Sequence, residues 1–275
     1  MKTTLSLLLL LLMNTFVFGQ IDKIKVAVLM AVNGDSYVKN KTGETKLEIP
    51  YFFQDKDVIE VRTGKVEILN SNGSELTLNK GDAYHIEIGK DAALLNVEEF
   101  YTNLSKEKYF TQSQSNSALT VRGQKTNIVL FPISSKLANK NQAFITCHLK
   151  TTEIVVIELE VLNMQNDEIV YSSKNITSTE IALNEMPLLP GQDYVWTLKA
   201  DGKETDQIGL ITYLDTEKQK ALLQFNLKQK VDYLKAYQYY AEKELWFAAK
   251  RTIQMAAQAY PETDLFEYLL KMMLK

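Results

Sequence analysis

The apolar and polar positions divide the chain into regimes. Over residues 20–89 apolar side chains recur at every second position. Ile24, Val26 and Val28 alternate with Lys25 and Ala27, Val66 and Ile68 with Lys65 and Glu67, Leu76 and Leu78 with Glu75 and Thr77, and Tyr84, Ile86 and Ile88 with His85 and Glu87. Successive side chains of a strand point to opposite faces, so this pattern predicts half-buried strands. The breaks carry turn chemistry at Asn33-Gly34, Thr42-Gly43, Thr63-Gly64, Asn72-Gly73 and Lys80-Gly81-Asp82. Asn-Gly supplies the positive φ angles of a tight hairpin. Many short strands at regular spacing predict an all-β sandwich, barrel or stack.

Residues 94–108 change character. Leu95, Phe100 and Leu104, among Lys and Glu, predict a short helix, and the Ser- and Gln-rich stretch 111–117 a loop. Strands return over residues 127–212, at 128–131, 143–149, 153–163 and 168–171. From Asp215, a suitable N-cap, the spacing turns helical. Leu222, Phe225, Val231 and Leu234 and the stripe Tyr233, Tyr237, Tyr240 recur at intervals of three and four. Trp246-Phe247-Ala248-Ala249 opens another face that Ile253, Ala256 and Ala257 continue. Pro261 stops that helix, and residues 265–274 make one more.

Three resemblances emerge. Val32-Asn33-Gly34-Asp35, then Asp57 to Gly64 (DVIEVRTG), then Lys65-Val66-Glu67-Ile68 with Asn72-Gly73-Ser74-Glu75-Leu76-Thr77-Leu78, look like a FecR-like β-domain, closed by Val121-Arg122-Gly123. The resemblance covers roughly residues 24–123, with Lys56 where the family favours Gly and Asn72 where it favours Asp. Pro187-Leu188-Leu189-Pro190-Gly191 followed by Tyr194, Trp196 and Ala200 resembles the penultimate strand of fibronectin type III-like and other immunoglobulin-like sandwiches. That resemblance implies that the Tyr194 hydroxyl returns to nearby backbone and that Trp196 fills the core. Cys147 falls where such modules often carry a core Trp. Finally, Tyr233, Tyr240, Ala249, Ile253, Ala256 and Pro261 resemble a tetratricopeptide (TPR) unit, with Tyr237 in place of a small residue. One repeat cannot stand alone, so it must pack on the sandwich or on a partner.

Composition narrows the functional classes. Lys2, the leucine-rich run 5–12 and Val17-Phe18-Gly19 follow a secretory signal pattern, so residues 1–19 are expected to be cleaved, with an uncleaved anchor as the alternative. Cleavage leaves 256 residues with 30 positive and 34 negative side chains. That balance offers no basic field for nucleic acid and no polybasic segment for anionic lipid. Cys147 is the only cysteine, which excludes an internal disulfide and points to a small buried hydrophobe.

The chemistry-bearing residues are sparse. His85 and His148 have no second ligand at metal spacing, no G-x-S-x-G occurs, and the glycines are scattered singly over turns. Acids pair at Glu98-Glu99, Asp167-Glu168 and Asp215/Glu217, as solvated residues commonly do. Neither a catalytic group, a metal nor a cofactor is expected. The candidate contact surfaces are aromatic. One is the stripe Tyr233, Tyr237, Tyr240 with Tyr239 and Trp246, against which stands internal packing of the helices. The other is Tyr51-Phe52-Phe53, where a strand must turn at least one ring outward.

The expected architecture is mainly β followed by α: a FecR-like all-β domain with a short helix and loop (20–125), an immunoglobulin-like β-sandwich (126–213) and a C-terminal TPR-like helical hairpin (214–275). The expected function is a non-catalytic adaptor or scaffold, exported to the periplasm or secreted in a Gram-negative bacterium, and bound to an envelope protein in signalling or assembly. A glycan- or peptidoglycan-binding envelope protein is the alternative. No nucleic acid and no stable membrane span after cleavage are expected.

Overall fold

The computed structural model describes residues 25–87, 93–105, 128–132, 134–149, 157–176, 180–200 and 202–273. The expected leader, the loop 111–117 and Val121-Arg122-Gly123 lie outside them.

The turn-punctuated alternation of the first regime becomes eight strands: β1 (Lys25–Asn33), β2 (Ser36–Asn40), β3 (Gly43–Lys46), β4 (Phe52–Gln54), β5 (Val58–Val61), β6 (Lys65–Asn70), β7 (Glu75–Asn79) and β8 (Ala83–His85). They form two antiparallel four-stranded sheets, ordered β4-β1-β6-β7 and β3-β2-β5-β8. Leu29, Phe53 and Ile68 of the first sheet meet Val38, Ile59 and Val61 of the second in a shared core. All five expected turns fall between strands. The tightest is at Gly64, where a Cβ would sit 1.9 Å from the Asn33 carbonyl oxygen. Only a residue without Cβ allows the two neighbouring turns to touch.

Strand β1 departs from the simple alternation. Residues 26–31 are all buried. Leu29 enters the sandwich core, while Val28 and Met30 enter a second core on the outer face of the same sheet. Alternation was expected because a lone sandwich leaves its outer faces wet. Here helices cover that face, and the strand reads as a near-continuous apolar run. The first of these helices is α1 (Val97–Ser105). Asn96 caps it: its side chain accepts from the Glu99 amide at 3.1 Å and donates to the Glu99 carboxylate at 2.9 Å. Phe100 and Leu104 point onto the sheet.

The second β unit contains β9 (Ile128–Phe131), β10 (Ser134–Leu137), β11 (Phe144–Leu149), β12 (Ile157–Asn163), β13 (Glu168–Ile176), β14 (Glu180–Ala182), β15 (Asp193–Ala200) and β16 (Lys203–Tyr213). A three-stranded sheet β14-β11-β9 faces a five-stranded sheet β10-β16-β15-β12-β13, and β10 runs parallel to β16. This is an immunoglobulin/fibronectin type III-like sandwich. Trp196 and Tyr194 are fully buried in its core. The Tyr194 hydroxyl accepts from the Leu189 amide at 2.7 Å and donates to the Gln192 side-chain oxygen at 3.0 Å, as expected of a corner tyrosine. Cys147 and His148 lie on β11, paired through their backbones with Leu130 and Val129.

The C-terminal region begins with α2 (Thr216–Lys220), capped by Asp215, whose carboxylate accepts from the Lys218 amide at 2.9 Å. The helix does not run on through Leu222 and Phe225 as the spacing suggested. Residues 221–229 leave helical geometry, which lays the Phe225 ring on Tyr239 and Tyr240 at 5.4 and 5.7 Å. A capping box at Gln229 and Asp232 then starts α3 (Lys230–Glu242), followed after a three-residue turn by α4 (Trp246–Ala259) and by α5 (Asp264–Met273).

These helices are a packing layer between the two β units. Val231, Leu234, Tyr237, Ile253, Phe266 and Leu269 cover Val28, Met30, Phe52 and Leu69 of the first sandwich. From the opposite side of the layer, Phe247 of α4 enters the core of the second sandwich. Buried lysines fasten both contacts. Lys230 reaches Glu67 at 3.0 Å and Glu75 at 3.3 Å, and Lys250 reaches Glu180 at 3.6 Å and the Thr146 hydroxyl. The Lys136 amide donates to the Glu244 carbonyl at 2.9 Å, so the turn between α3 and α4 covers the edge of β10.

Candidate functional site

The aromatic residues expected at a contact surface lie inside the molecule. Tyr237 is fully buried, Tyr233 and Trp246 are buried, and Tyr240 is half-buried. Tyr237 meets Phe100 edge-on at 6.1 Å, and Tyr233 meets Tyr260 at 6.0 Å and Phe266 at 6.4 Å. Internal packing is therefore what Tyr233, Tyr237 and Trp246 do, while Tyr240 also lines a cleft beside α4. The second cluster is covered as well. Phe53 enters the sandwich core, Phe52 enters the helical core against Phe100 and Tyr101 at 5.6 and 5.2 Å, and Tyr51 leans on Phe53 at 4.9 Å. No ring has to point into solvent, because β4 has a core on each side. Burial pushes the Tyr51 phenol up to about 12, so it stays a neutral hydroxyl.

The exposed apolar surface lies elsewhere, on the outer face of the five-stranded sheet. The register places Leu210 of β16 opposite Val195 of β15, Val195 opposite Leu162 of β12, and Leu162 opposite Ile169 of β13. These four side chains form one row across four strands. Ile169 is 59 % exposed, Leu210 is 38 % exposed, and Val195 and Leu162 are half-buried. Met164, 49 % exposed, extends the patch beside Asp193. The adjacent cross-strand row is polar apart from Ile208: Thr197, Glu160 and Ser172 follow it, and Glu160 pairs with Lys199 at 3.3 Å.

This row left a trace in the sequence. Val161-Leu162, Ile169-Val170, Tyr194-Val195-Trp196 and Leu210-Ile211 are consecutive apolar residues within strands. One member of each run must face away from the core, and nothing among the described residues covers it.

A second feature is a cleft of about 620 Å³ bounded by β10, residues 219–227 and α4. Leu222, Phe225, Phe247 and Met255 supply apolar walls, Arg251 and Lys136 are the cations, and no Asp or Glu lines it. Lys136 is paired with Glu244 at 2.8 Å.

The other faces are quieter. On the sheet β3-β2-β5-β8, Lys39 pairs with Glu60 and Glu44, Arg62 pairs with Glu44 at 2.7 Å and Glu60 at 3.3 Å, and Arg62 lies 4.0 Å over the Tyr37 ring. The Lys39 hydrogen bond, then that of Arg62, holds the Glu60 carboxyl below its usual range. This ladder satisfies itself. Among the described residues no cluster of His, Cys, Asp and Glu could hold a metal ion, and no helix is long and apolar enough to cross a membrane. His85 is exposed on β8.

No family model and no curated protein matches the chain. Among solved structures it is similar to the BSP domain of a biofilm-associated protein, at 14% identity and a TM-score of 0.23, over 70% of this chain and 28% of that one. It is also similar to a segment of two fibronectin type III domains from chicken tenascin, at 10% identity and a TM-score of 0.21, over 70% of this chain and 94% of that one.

Proposed function

We propose that the protein is a non-catalytic adaptor or scaffold of the bacterial cell envelope, exported by its leader, that holds another protein against the outer face of the second sandwich. The observation that carries this reading is the row Leu210, Val195, Leu162 and Ile169, an aliphatic patch on a sheet whose opposite face is already a complete core. A contiguous exposed apolar patch with a polar border is the usual mark of a protein contact. Sugars are gripped by stacked rings, whereas this row is aliphatic, which favours protein over the glycan alternative.

In this reading the first unit is a FecR-like module and α3–α4 a TPR-like hairpin. The ordered turns at Asn33-Gly34, Thr63-Gly64 and Asn72-Gly73 support the former. The packing of α3 and α4 in one core, with Ala249 and Ala256 fully buried in it, supports the latter. Both serve as the rigid base that presents the sandwich.

The test is capture from envelope extract by the wild type and by the Ile169→Asp/Leu210→Asp double variant. Both positions are exposed, so the thermal midpoint should stay within about 2 °C. A captured protein should lose about tenfold or more of its affinity for the variant, the weight of central interface residues. Identical capture by both proteins defeats the reading. Sedimentation with insoluble peptidoglycan that the variant abolishes would replace the protein partner with a glycan.

A further inference from the structure

The cleft beside α4 is separate from the sheet row and has its own chemistry. Its volume, about 620 Å³, is in the range that accommodates a ligand group rather than a few waters. The apolar character extends to its mouth: Met255 is 36 % exposed, and Leu223, between the lining residues Leu222 and Gln224, is 57 % exposed. Its charge is one-sided. With Lys136 held by Glu244 and no carboxylate in the lining, the exposed Arg251 guanidinium stands without an ion-pair partner among the described residues. An arginine in that setting selects a carboxylate, which it can bind through two parallel hydrogen bonds.

The remaining polar groups suit a peptide backbone. Asn139, Gln219 and Gln224 place amide side chains around the cleft; the Asn139 oxygen accepts from the Asn141 amide at 3.0 Å, which leaves its nitrogen to donate, and the Gln219 nitrogen donates to the Leu214 carbonyl at 2.6 Å, which leaves its oxygen to accept. A set that offers both donors and acceptors matches the alternating groups of an extended main chain. An alkyl chain would leave them unpaired on its account, at a free-energy cost.

We propose that this cleft is a second binding site, which takes an extended peptide segment of a partner protein carrying an apolar side chain next to an Asp or Glu. The apolar side chain sits against Phe225, Phe247 and Met255, and the carboxylate pairs with Arg251.

The experiment measures fluorescence polarisation of amide-capped octapeptide pools on the full chain. One pool has Leu or Phe beside Asp or Glu, and a matched pool has Lys in place of the acid. Sodium decanoate is the competing probe. The acidic pool should bind at least about tenfold more tightly than the lysine pool, and Arg251→Gln should remove that margin. Arg251→Glu, at the same exposed position, should reverse the preference. Equal binding of the two pools, an acidic pool indifferent to Arg251→Gln, or decanoate binding where neither pool binds overturns the proposal. The Ile169→Asp/Leu210→Asp variant should bind the acidic pool like the wild type, so failure of the sheet row and failure of the cleft are told apart.

Discussion

Lys56 shows how much one residue can carry. Its φ is +69°, in the left-handed region that side chains with a Cβ avoid, and its amide donates to the Ile86 carbonyl at 2.8 Å. The turn is fixed from the other side by buried Asp57, whose carboxylate accepts from the Gln54 amide at 2.9 Å. Glycine takes this conformation without a steric cost. Lys56→Gly should therefore stabilise the protein by up to about 1 kcal/mol, the relief of left-handed strain less the added freedom of the unfolded chain. That is a rise of about 2 °C in the thermal midpoint, and a fall would mean that the turn tolerates lysine without strain. Tyr194 works through hydrogen bonding instead. Its hydroxyl serves Leu189 and Gln192, and Gln192 also accepts from the Asn163 amide group at 2.6 Å. Tyr194→Phe leaves the Leu189 amide without its acceptor and should cost about 1–2 kcal/mol in urea unfolding. A neutral result would show that water replaces the phenol without loss.

Among the elements, the helical layer depends on a charge pair that packing alone would not need. Burial pushes the Glu67 carboxyl up, but hydrogen bonds from Lys65 and Lys230, with their charges, outweigh it and hold the group below its usual range. Burial pushes Lys230 down, and the bond and charge of Glu67, then Glu75, outweigh it in turn. A lowered carboxyl stabilises the fold fully above its unfolded value and loses that contribution as pH falls through its folded value. A raised lysine stabilises fully below its unfolded value and loses its share as pH rises through the folded one. The lock thus holds across neutral pH. Lys230→Met should lower stability by about 2 kcal/mol at pH 7, and the gap should narrow as the medium approaches about pH 3. A gap of constant size would assign the effect to the lysine stem alone. The same layer marks where sequence reasoning stopped. Turns at Gly64 and Gly73 and the Asp215 cap were legible because each is a local rule met within a few residues, and the Tyr194 corner was legible only through the resemblance of its strand to those of known sandwiches. The covering of β1 by the C-terminal helices and the inward fate of Tyr237 depend on elements more than a hundred residues apart, and the burial of Phe52 and the free row at Ile169 on elements nearly fifty residues apart. Apolar runs announce that two faces are apolar without saying which of them finds a partner.

At the scale of the molecule, the two proposed surfaces keep a fixed relation only if the second sandwich cannot swing away from the helical layer. The contact that resists this is Phe247, which leaves α4 to enter the sandwich core and also forms a wall of the cleft. The hydrogen bond from Lys136 to Glu244 and the Lys250 contact with Glu180 reinforce it at the margins. The chain provides its own reporters. Its two tryptophans are divided between the parts, with Trp196 in the sandwich core and Trp246 in the helical core. Single-tryptophan versions, Trp246→Phe and Trp196→Phe, each serve as their own reference. With Phe247 intact the two fluorescence transitions in urea should coincide, because unfolding either part strips apolar surface from the other. Phe247→Ala should cost about 3 kcal/mol. It should also part the transitions, with the Trp196 signal moving to lower urea and the Trp246 signal moving less. Coincident transitions in the Phe247→Ala background would place the coupling in the polar contacts, and Lys250→Met would then be the variant that separates the two parts.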